Sequence, residues 1–207
     1  MTHPELITGV QQDAAEAAQA IISMWRKPDD NLCTPVRDML HCENVVVTHC
    51  HHCEHSTNRK EVMHAPILQV ALTADNLQDC ILATMADQPI DGHKCTQCGE
   101  IRYTHHRCQP IIQPDLLIVQ LLRFSNKGRK ITTSISIPDT ITVLDTLYRV
   151  NSMVFHQGTL YSGHYTAMVK TNSQWYQCND TNISRLDASE VFTAANTKVY
   201  LIFLSRS

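Results

Sequence analysis

Two Cys-x-x-Cys pairs, 41 residues apart, constrain the fold of this chain more than any other feature. They read Cys50-His-His-Cys53 and Cys95-Thr-Gln-Cys98. Four thiolates in two such pairs form a closed tetrahedral site, which is the arrangement that structural zinc prefers. The long loop between them is tolerable because loop-closure entropy rises slowly with length. We therefore predict a structural Zn²⁺ ion that holds the two ends of the intervening segment together.

Histidines around the first pair leave the ligand set open. His49, His51, His52 and His55 are each able to replace a cysteine ligand or to lie as solvated neighbours. A single Cys-x-x-Cys pair is also found as buried packing or as a redox motif. Disulfides are disfavoured because nine cysteines are an odd number, and paired cysteines in a reducing compartment favour metal.

Composition sets the class of the protein. With 207 residues and 43% hydrophobic content, the chain is able to bury one core. A net charge of −3 without long charged runs argues against nucleic-acid binding. The first six residues do not resemble a signal peptide, and no stretch approaches the roughly 20 apolar residues of a membrane span. We expect an intracellular protein, cytoplasmic or nuclear, without nucleic-acid or membrane partners.

Hydrophobic periodicity predicts an α+β domain with a mostly antiparallel sheet. Helices are expected at 11–26, ended by Pro28 and Asp29, at 75–86, and at 188–195, where Asp187 and Glu190 form a capping-box pattern. The predicted strands are 45–49, 67–72, 101–105, 116–124, 146–155, 165–170, 174–178 and 198–205. No repeat or linker interrupts the chain, so we expect one continuous domain.

A candidate general base lies in Tyr161-Ser-Gly-His-Tyr165. A histidine acts as a base when a third group orients it through its other ring nitrogen. Gly163 removes bulk beside His164, and the next predicted strand ends close to Asn179 and Asp180. A lone histidine at a strand start is more often structural than catalytic. On local chemistry alone, both interpretations stay open.

Several motifs occur in order along nearly the whole chain. They are the two cysteine pairs, Gln11-Gln-Asp-Ala-Ala-Glu16, Leu121-Leu-Arg-Phe124, Tyr148-x-Val-x-x-x-x-x-His156-x-Gly158, Gly163-His164-Tyr165, Trp175, Asn179-Asp180 and Val199-Tyr-Leu-Ile-Phe-Leu204. With them the chain closely resembles the ubiquitin-specific proteases, a family of deubiquitinating cysteine proteases. The resemblance implies a papain-like fold with a helical thumb at 1–44, zinc-bound fingers at 45–110 and a β-sheet palm at 111–207.

The resemblance also implies roles for individual residues. His164 becomes the catalytic base and Asn179 the residue that orients it, with Asp180 as a neighbouring polar group. Two further pairs of residues then contact ubiquitin. Asp13 and Glu16 face its basic C-terminal tail, and Phe124 and Tyr165 line the channel for that tail. Without the resemblance, the first pair is an acidic helix start and the second pair is ordinary core aromatics.

One family signature is missing from this chain. Family members carry a cysteine box upstream of the glutamine-glutamine-aspartate helix, and the ten residues before Gln11 contain no cysteine. Cys33, Cys42, Cys80 and Cys178 lack the sequence context of that box. We therefore expect the nucleophile to lie outside this chain, which alone is inactive. The alternatives are a catalytically dead ubiquitin-binding protein and a zinc-stabilised interaction module.

Overall fold

The computed structural model of the chain describes residues 12–25, 34–63, 66–101, 104–193 and 197–207. The described residues form two β-sheets and four helices. The helices are α1 (Ala14–Trp25), α2 (Thr34–Met39), α3 (Leu77–Met85) and α4 (Ala188–Thr193). The strands are β1 (Cys42–Cys50), β2 (Ser56–Met63), β3 (Ile67–Val70), β4 (Gln88–Ile90), β5 (Thr104–Ile112), β6 (Leu116–Leu121), β7 (Thr140–Val143), β8 (Thr146–Gly158), β9 (Gly163–Thr171), β10 (Gln174–Asn179), β11 (Asn182–Leu186) and β12 (Val199–Arg206).

The smaller sheet has four antiparallel strands in the order β2-β1-β5-β4. Three consecutive β-branched residues, Val45 to Val47, favour the extended conformation of its central strand β1. In the register of β1 with β5, His49 lies opposite His105 and Cys50 opposite Thr104. The end of β1 therefore brings the first cysteine pair to one end of this sheet.

The larger sheet runs β11-β10-β9-β8-β12-β6-β3, and β7 pairs with β8 beside this path. Its strand pairs are antiparallel except for β3 with β6. Two-residue turns at Leu144-Asp145 and Asn172-Ser173 join β7 to β8 and β9 to β10. All four of these residues have positive φ, between 46° and 67°, which is the conformation of tight hairpin turns. These short turns fix the register of β9 against β10.

Both faces of the larger sheet are covered by helices. Helix α3 buries Leu77 and Ile81 in the main core, which also contains Val119 of β6 and Ile202 of β12. On the opposite face, α1 packs Ile22 into a second cluster with Ile118 and Leu201. Alternate residues of the same strands thus serve two cores, as expected for strands with near-continuous apolar sequence.

The predicted helices and the long strands of the larger sheet are present. The described part of the predicted helix 11–26 is α1, whereas Gln11, Pro28 and Asp29 lie outside the described residues. The capping box is partly formed, because the Glu190 carboxylate accepts the backbone N–H of Asp187 at 2.8 Å. Phe124 lies beyond the end of β6 at Leu121, so that strand is shorter than predicted.

Five elements were not expected from the sequence: α2, β2, β4, β7 and β11. Strand β2 (STNRKEVM) lies at the edge of the small sheet and has mostly polar residues, so it lacks a period-two apolar pattern. The segment between the cysteine pairs also differs from a single arm. Strand β3 joins the larger sheet and α3 packs on its core, because Val70, Leu77 and Ile81 are apolar and are at most 1% exposed.

Candidate functional site

His164 and Asn179 meet on one face of the β9–β10 hairpin. The Nε2 atom of His164 lies 2.7 Å from Oδ1 of Asn179. In the register of the hairpin, Gln177 lies opposite Met168 and Cys178 opposite Ala167. Because side chains alternate between faces along a strand, His164 and Met168 share a face with Gln177 and Asn179.

This contact determines which nitrogen of His164 is able to act as a base. An amide oxygen only accepts hydrogen bonds, so Nε2 of His164 carries a proton and donates it as a hydrogen bond to Oδ1 of Asn179. The Nδ1 atom then keeps its lone pair. The side chain of His164 is half exposed, at 50%. The arrangement is that of an oriented histidine with a basic nitrogen open to a reacting group.

Asp180 is more loosely placed than Asn179. Its Oδ2 atom is 4.0 Å from Nε2 of His164, and its side chain is 77% exposed. Its backbone has φ of 52°, in the left-handed region, at the turn that leads into β11. Asp180 therefore contributes a nearby charge to the histidine, whereas Asn179 accepts its hydrogen bond.

A groove of about 430 Å³ borders the pair. Phe155, Met168 and Leu186 form apolar parts of its lining, and Glu190 and Lys198 add charged groups. His164 and Asn179 lie in the same lining, so the groove gives a reacting group access to the imidazole.

The structure does not place Cys42, Cys80 or Cys178 where its thiol could reach His164. Cys178 points to the opposite face of β10, since it neighbours Asn179 on a strand. Cys80 is completely buried in α3, where its thiol contacts the backbone of Ala74. Cys42 is also buried, and Cys33 lies outside the described residues.

A buried histidine, His156, lies on β8 opposite Tyr165 of the β9–β10 hairpin. It is 4% exposed, and its ring centroid is 4.7 Å from that of Tyr165 and 5.6 Å from that of Phe124. Lys130 Nζ lies 3.2 Å from its Nδ1 and donates to its carbonyl oxygen at 2.8 Å. Burial, reinforced by the Lys130 charge, lowers the pKa of His156. The histidine motif of the sequence included this residue, but no role followed from the sequence.

Gly163 is required because the His156 ring occupies the space of a side chain. A Cβ atom at position 163 would lie 2.2 Å from Nε2 of His156 and 2.8 Å from the carbonyl oxygen of Gln157. We expect Gly163→Ala to lower the free energy of unfolding by about 1–3 kcal/mol, since overpacking displaces the ring or the strand. Urea denaturation measures this change. Ser162→Ala, at an exposed position in the same turn, is the control and is expected to stay within about 0.5 kcal/mol of the parent. An unchanged midpoint for Gly163→Ala would contradict this packing argument.

Asp13, Phe124 and Tyr165 converge on a second cluster, around Tyr200. The hydroxyl of Tyr200 donates to Oδ2 of Asp13 at 2.6 Å, while Oδ1 of Asp13 accepts the backbone N–H groups of Ala15 and Glu16. Asp13 is thus the N-cap of α1. Burial and the Asp13 carboxylate raise the pKa of Tyr200. The carboxylate of Asp13 has structural partners, whereas Glu16 is exposed.

The four paired cysteines form one cluster. Their sulfur atoms all lie within 4.8 Å of one another, and Sγ of Cys53 is 3.6 Å from Sγ of Cys95. Zn–S bonds of about 2.3 Å in a tetrahedron place sulfur atoms about 3.8 Å apart, so the four residues fit a zinc ion. The backbone N–H groups of Cys98 and Gln97 lower the pKa of Cys95, which favours the thiolate that binds metal.

The two cysteine pairs have the same local geometry. The backbone N–H of Cys50 donates to the carbonyl of His55, and that of Cys95 donates to the carbonyl of Glu100, five residues on in each case. The residue after the second cysteine has positive φ in both turns, 57° for Glu54 and 72° for Gly99. Each cysteine pair therefore forms a similar tight turn, and the two turns meet at the four-cysteine cluster.

Comparison with known proteins connects this geometry to a family. The family model "Ubiquitin carboxyl-terminal hydrolase" matches residues 1–203. The chain is 25% identical over 174 residues to ubiquitin carboxyl-terminal hydrolase 25 of Arabidopsis thaliana, which covers 76% of the chain and 26% of that relative. It is 28% identical over 152 residues to ubiquitin carboxyl-terminal hydrolase 5 of the same plant, which covers 63% of the chain and 16% of that relative.

Solved structures with the same fold include that of a SAGA DUB module containing Ubp8, bound to monoubiquitin. The TM-score is 0.82 at 21% identity, over 99% of this chain and 50% of that chain. A module bound to ubiquitin aldehyde gives a TM-score of 0.79 at 21% identity, over 99% and 51%. These likenesses confirm the predicted fold class. The chain spans about half of these structural neighbours. Within the described ranges, no helix has the length and apolar character needed to cross a membrane.

Proposed function

The chain belongs to the ubiquitin carboxyl-terminal hydrolase family, among its ubiquitin-specific proteases, and we propose that it carries two members of a Cys-His-Asn triad. In this proposal His164 is the base, Asn179 orients it, and the cysteine lies outside the chain. The triad hydrolyses the bond at the C-terminus of ubiquitin. The observation that carries the proposal is the 2.7 Å contact between His164 Nε2 and Asn179 Oδ1 on the face that borders the groove.

The proposed reaction uses both nitrogens of His164. Its Nδ1 atom takes the proton of the cysteine, whose sulfur attacks the carbonyl carbon at the ubiquitin C-terminus. The imidazolium that forms is stabilised through Nε2–H by the Asn179 oxygen. Nδ1 then gives the proton to the leaving amine. In the second half-reaction it takes a proton from water, which hydrolyses the thioester and regenerates the thiol.

A direct comparison of two alanine variants distinguishes the role of Asn179 from that of Asp180. In a longer protein that includes the family cysteine, we expect Asn179→Ala to lower kcat about 10²-fold, because the imidazole loses its orienting bond. Asp180→Ala is expected to lower kcat less than about threefold, since an exposed charge 4.0 Å away is largely screened by solvent. Hydrolysis of a ubiquitin–fluorophore conjugate measures both rates. Equal losses in the two variants would show that Asp180 shares the orienting role.

Glu16 is the clearest site at which to test recognition of ubiquitin. It is exposed in the first turn of α1, whereas Asp13 is engaged by Tyr200. Glu16→Gln is expected to weaken binding of ubiquitin about three- to tenfold, because it removes a charge contact with the basic tail of ubiquitin. Gln19→Arg is the control, because it makes the same change of one charge unit at an exposed position of the same helix. Its affinity for ubiquitin, measured by calorimetry, should stay within about twofold of the parent.

The same calorimetric experiment tests the rival functions. If the chain is a catalytically dead ubiquitin-binding protein or a fragment of an active enzyme, it binds ubiquitin and does not hydrolyse it. An interaction module that does not recognise ubiquitin shows no heat of binding. An in-frame cysteine box in the genomic sequence upstream of Met1 favours the active enzyme over the dead one.

Structural zinc and the division into thumb, fingers and palm complete the proposal. The four-cysteine cluster supports zinc at the tip of the small sheet, where it joins the two cysteine turns. We assign the fingers to the small sheet, the palm to the larger sheet and the end of the thumb to α1. In this arrangement the small sheet grips ubiquitin or ubiquitinated proteins, as the ubiquitin-bound structural neighbours suggest.

A further inference from the structure

Three imidazoles cluster beside the first cysteine pair, on the other face of β1 from Cys50. The ring centroids of His49, His51 and His105 are 4.7 to 5.3 Å apart. His49 and His105 lie directly opposite each other in the β1–β5 register, and His51 belongs to the turn that follows. We propose that these three histidines, together with Glu54, form a second Zn²⁺ site that is distinct from the four-cysteine cluster.

Three of the four proposed ligands, His49, His51 and Glu54, have atoms close enough to converge on one ion, and His105 lies against His51. Nε2 of His51 is 2.7 Å from Nδ1 of His105, and Nε2 of His49 is 3.2 Å from Oε2 of Glu54. The ligand atoms of His49, His51 and Glu54 all lie within 4.8 Å of one another. Tetrahedral zinc with bonds of about 2.0–2.1 Å separates its nitrogen and oxygen ligands by about 3.3 Å. Small rotations bring the observed spacing to that value, and the exposed side chains of His51 and Glu54 have room for them.

Two of the imidazoles already have the outer hydrogen bonds of metal ligands. Nδ1 of His49 contacts the hydroxyl of Ser56 at 2.9 Å. Nε2 of His105 lies 3.3 Å from Oδ2 of Asp87, whose other oxygen accepts a hydrogen bond from Arg107. Histidines that bind metal usually donate their second N–H to such a hydroxyl or carboxylate, which fixes the ring and the tautomer. With these donors in place, Nε2 of His49 and Nδ1 of His105 present lone pairs towards the cluster.

Glu54 occupies a backbone position at which the matching turn has glycine. The two cysteine turns share the hydrogen bond donated by their first cysteine, yet Glu54 of the first turn stands where the second turn has Gly99, at φ of 57°. A residue with a side chain is strained in this conformation, and such strain is retained where the residue has a task. Here the glutamate side chain reaches His49 and supplies the only carboxylate of the proposed ligand set.

The donor set selects the metal. Imidazole and carboxylate ligands suit Zn²⁺, whereas Mg²⁺ and Ca²⁺ prefer oxygen ligands alone. Cu²⁺ and Ni²⁺ are expected to compete for the same ligands in solution. A groove of about 320 Å³ runs along these histidines and gives an ion access from solvent. The site would fasten the first cysteine turn to β5 from the face opposite the thiolates.

Metal content tests the proposal without any activity assay. After incubation with excess Zn²⁺ and gel filtration in metal-free buffer, we expect the parent chain to retain one more zinc per chain than the His49→Asn/His105→Asn variant, by elemental analysis. The His52→Asn control removes a neighbouring histidine from the same turn and is expected to retain the parent value. The difference in zinc content is informative whether or not the four cysteines are occupied. Equal zinc content in the parent and the double variant would overturn the site, as would loss of the same ion in His52→Asn.

A second variant removes a ligand without straining the fold. Glu54→Gly relaxes the backbone, so we expect it to fold at least as stably as the parent and to bind the second Zn²⁺ at least tenfold more weakly in a zinc titration. Cobalt substitution gives an independent readout. A second Co²⁺ is expected to add visible absorption without further sulfur-to-cobalt charge transfer, since its ligands are nitrogen and oxygen. Unchanged zinc affinity in Glu54→Gly, or added charge transfer, would remove Glu54 or the histidines from the site.

Discussion

His164→Ala is expected to lower ubiquitin hydrolysis at least about 10³-fold in a longer protein that supplies the family cysteine. The imidazole is the group that accepts the thiol proton and returns it to the leaving amine, so its removal affects both halves of the reaction. Asn179 then has no ring to orient, and its contribution is lost as well. Effects within such a unit are not additive. The double variant His164→Ala/Asn179→Ala should therefore be no slower than His164→Ala by more than about threefold.

Two measurements separate this catalytic loss from unfolding. His164 is half exposed at a groove, so its truncation should leave the thermal midpoint and the affinity for ubiquitin close to those of the parent. The 207-residue chain, which lacks the cysteine box of the family, should show no hydrolysis above background in the same assay. Turnover by this chain that disappears in His164→Ala would mean that one of its own cysteines is the nucleophile, which would refute the proposed triad.

The part of the site that the sequence predicts is the part formed by local structure. His164 and Asn179 are 15 residues apart and lie on one hairpin, whose two-residue turn and strand alternation place them on the same face. The two cysteine turns are also predictable from the sequence, because each turn is local and its two candidate metal ligands are visible as a Cys-x-x-Cys pair. Such features depend on short-range geometry that residue spacing already contains.

The contacts that the sequence could not predict join distant elements. Tyr200 donates to Asp13 across 187 positions, a tertiary contact of the α1 cap that the sequence did not indicate, while the predicted role of Asp13 towards ubiquitin stays a prediction. Arg123 is 1% exposed and donates to the carbonyls of Val199, Ile131 and Thr133, where its motif gave no indication of a structural role. His156 is likewise buried, beside the rings of Phe124, Tyr165 and Tyr200. Packing of this kind depends on topology, not on local spacing.

Removal of the metal from the four-cysteine cluster is expected to unfold the tip of the small sheet and to lower the thermal midpoint of the chain by at least about 10 °C. The cluster joins the turn after β1 to the turn before β5, and the apolar core lies in the other sheet. Among the described residues, the buried residues of the small sheet are few. One of them is Cys50 at the end of β1, and Cys95 is buried in the turn before β5, so hydrophobic burial alone does little to hold this end of the fold.

Hydrogen exchange locates this change. After treatment with a strong chelator, or in Cys95→Ser, amides of β1, β4 and β5 near the cysteine turns should exchange faster. Amides of β6, β8 and β12 should keep their protection, because their side chains form the main core. Cys108→Ser is the matched control, since Cys108 lies on β5 outside the cluster and its loss should leave both the midpoint and the metal content unchanged. Uniform loss of protection across both sheets would instead mean that the chain unfolds as one unit, and that the four-cysteine cluster stabilises the palm as much as the fingers.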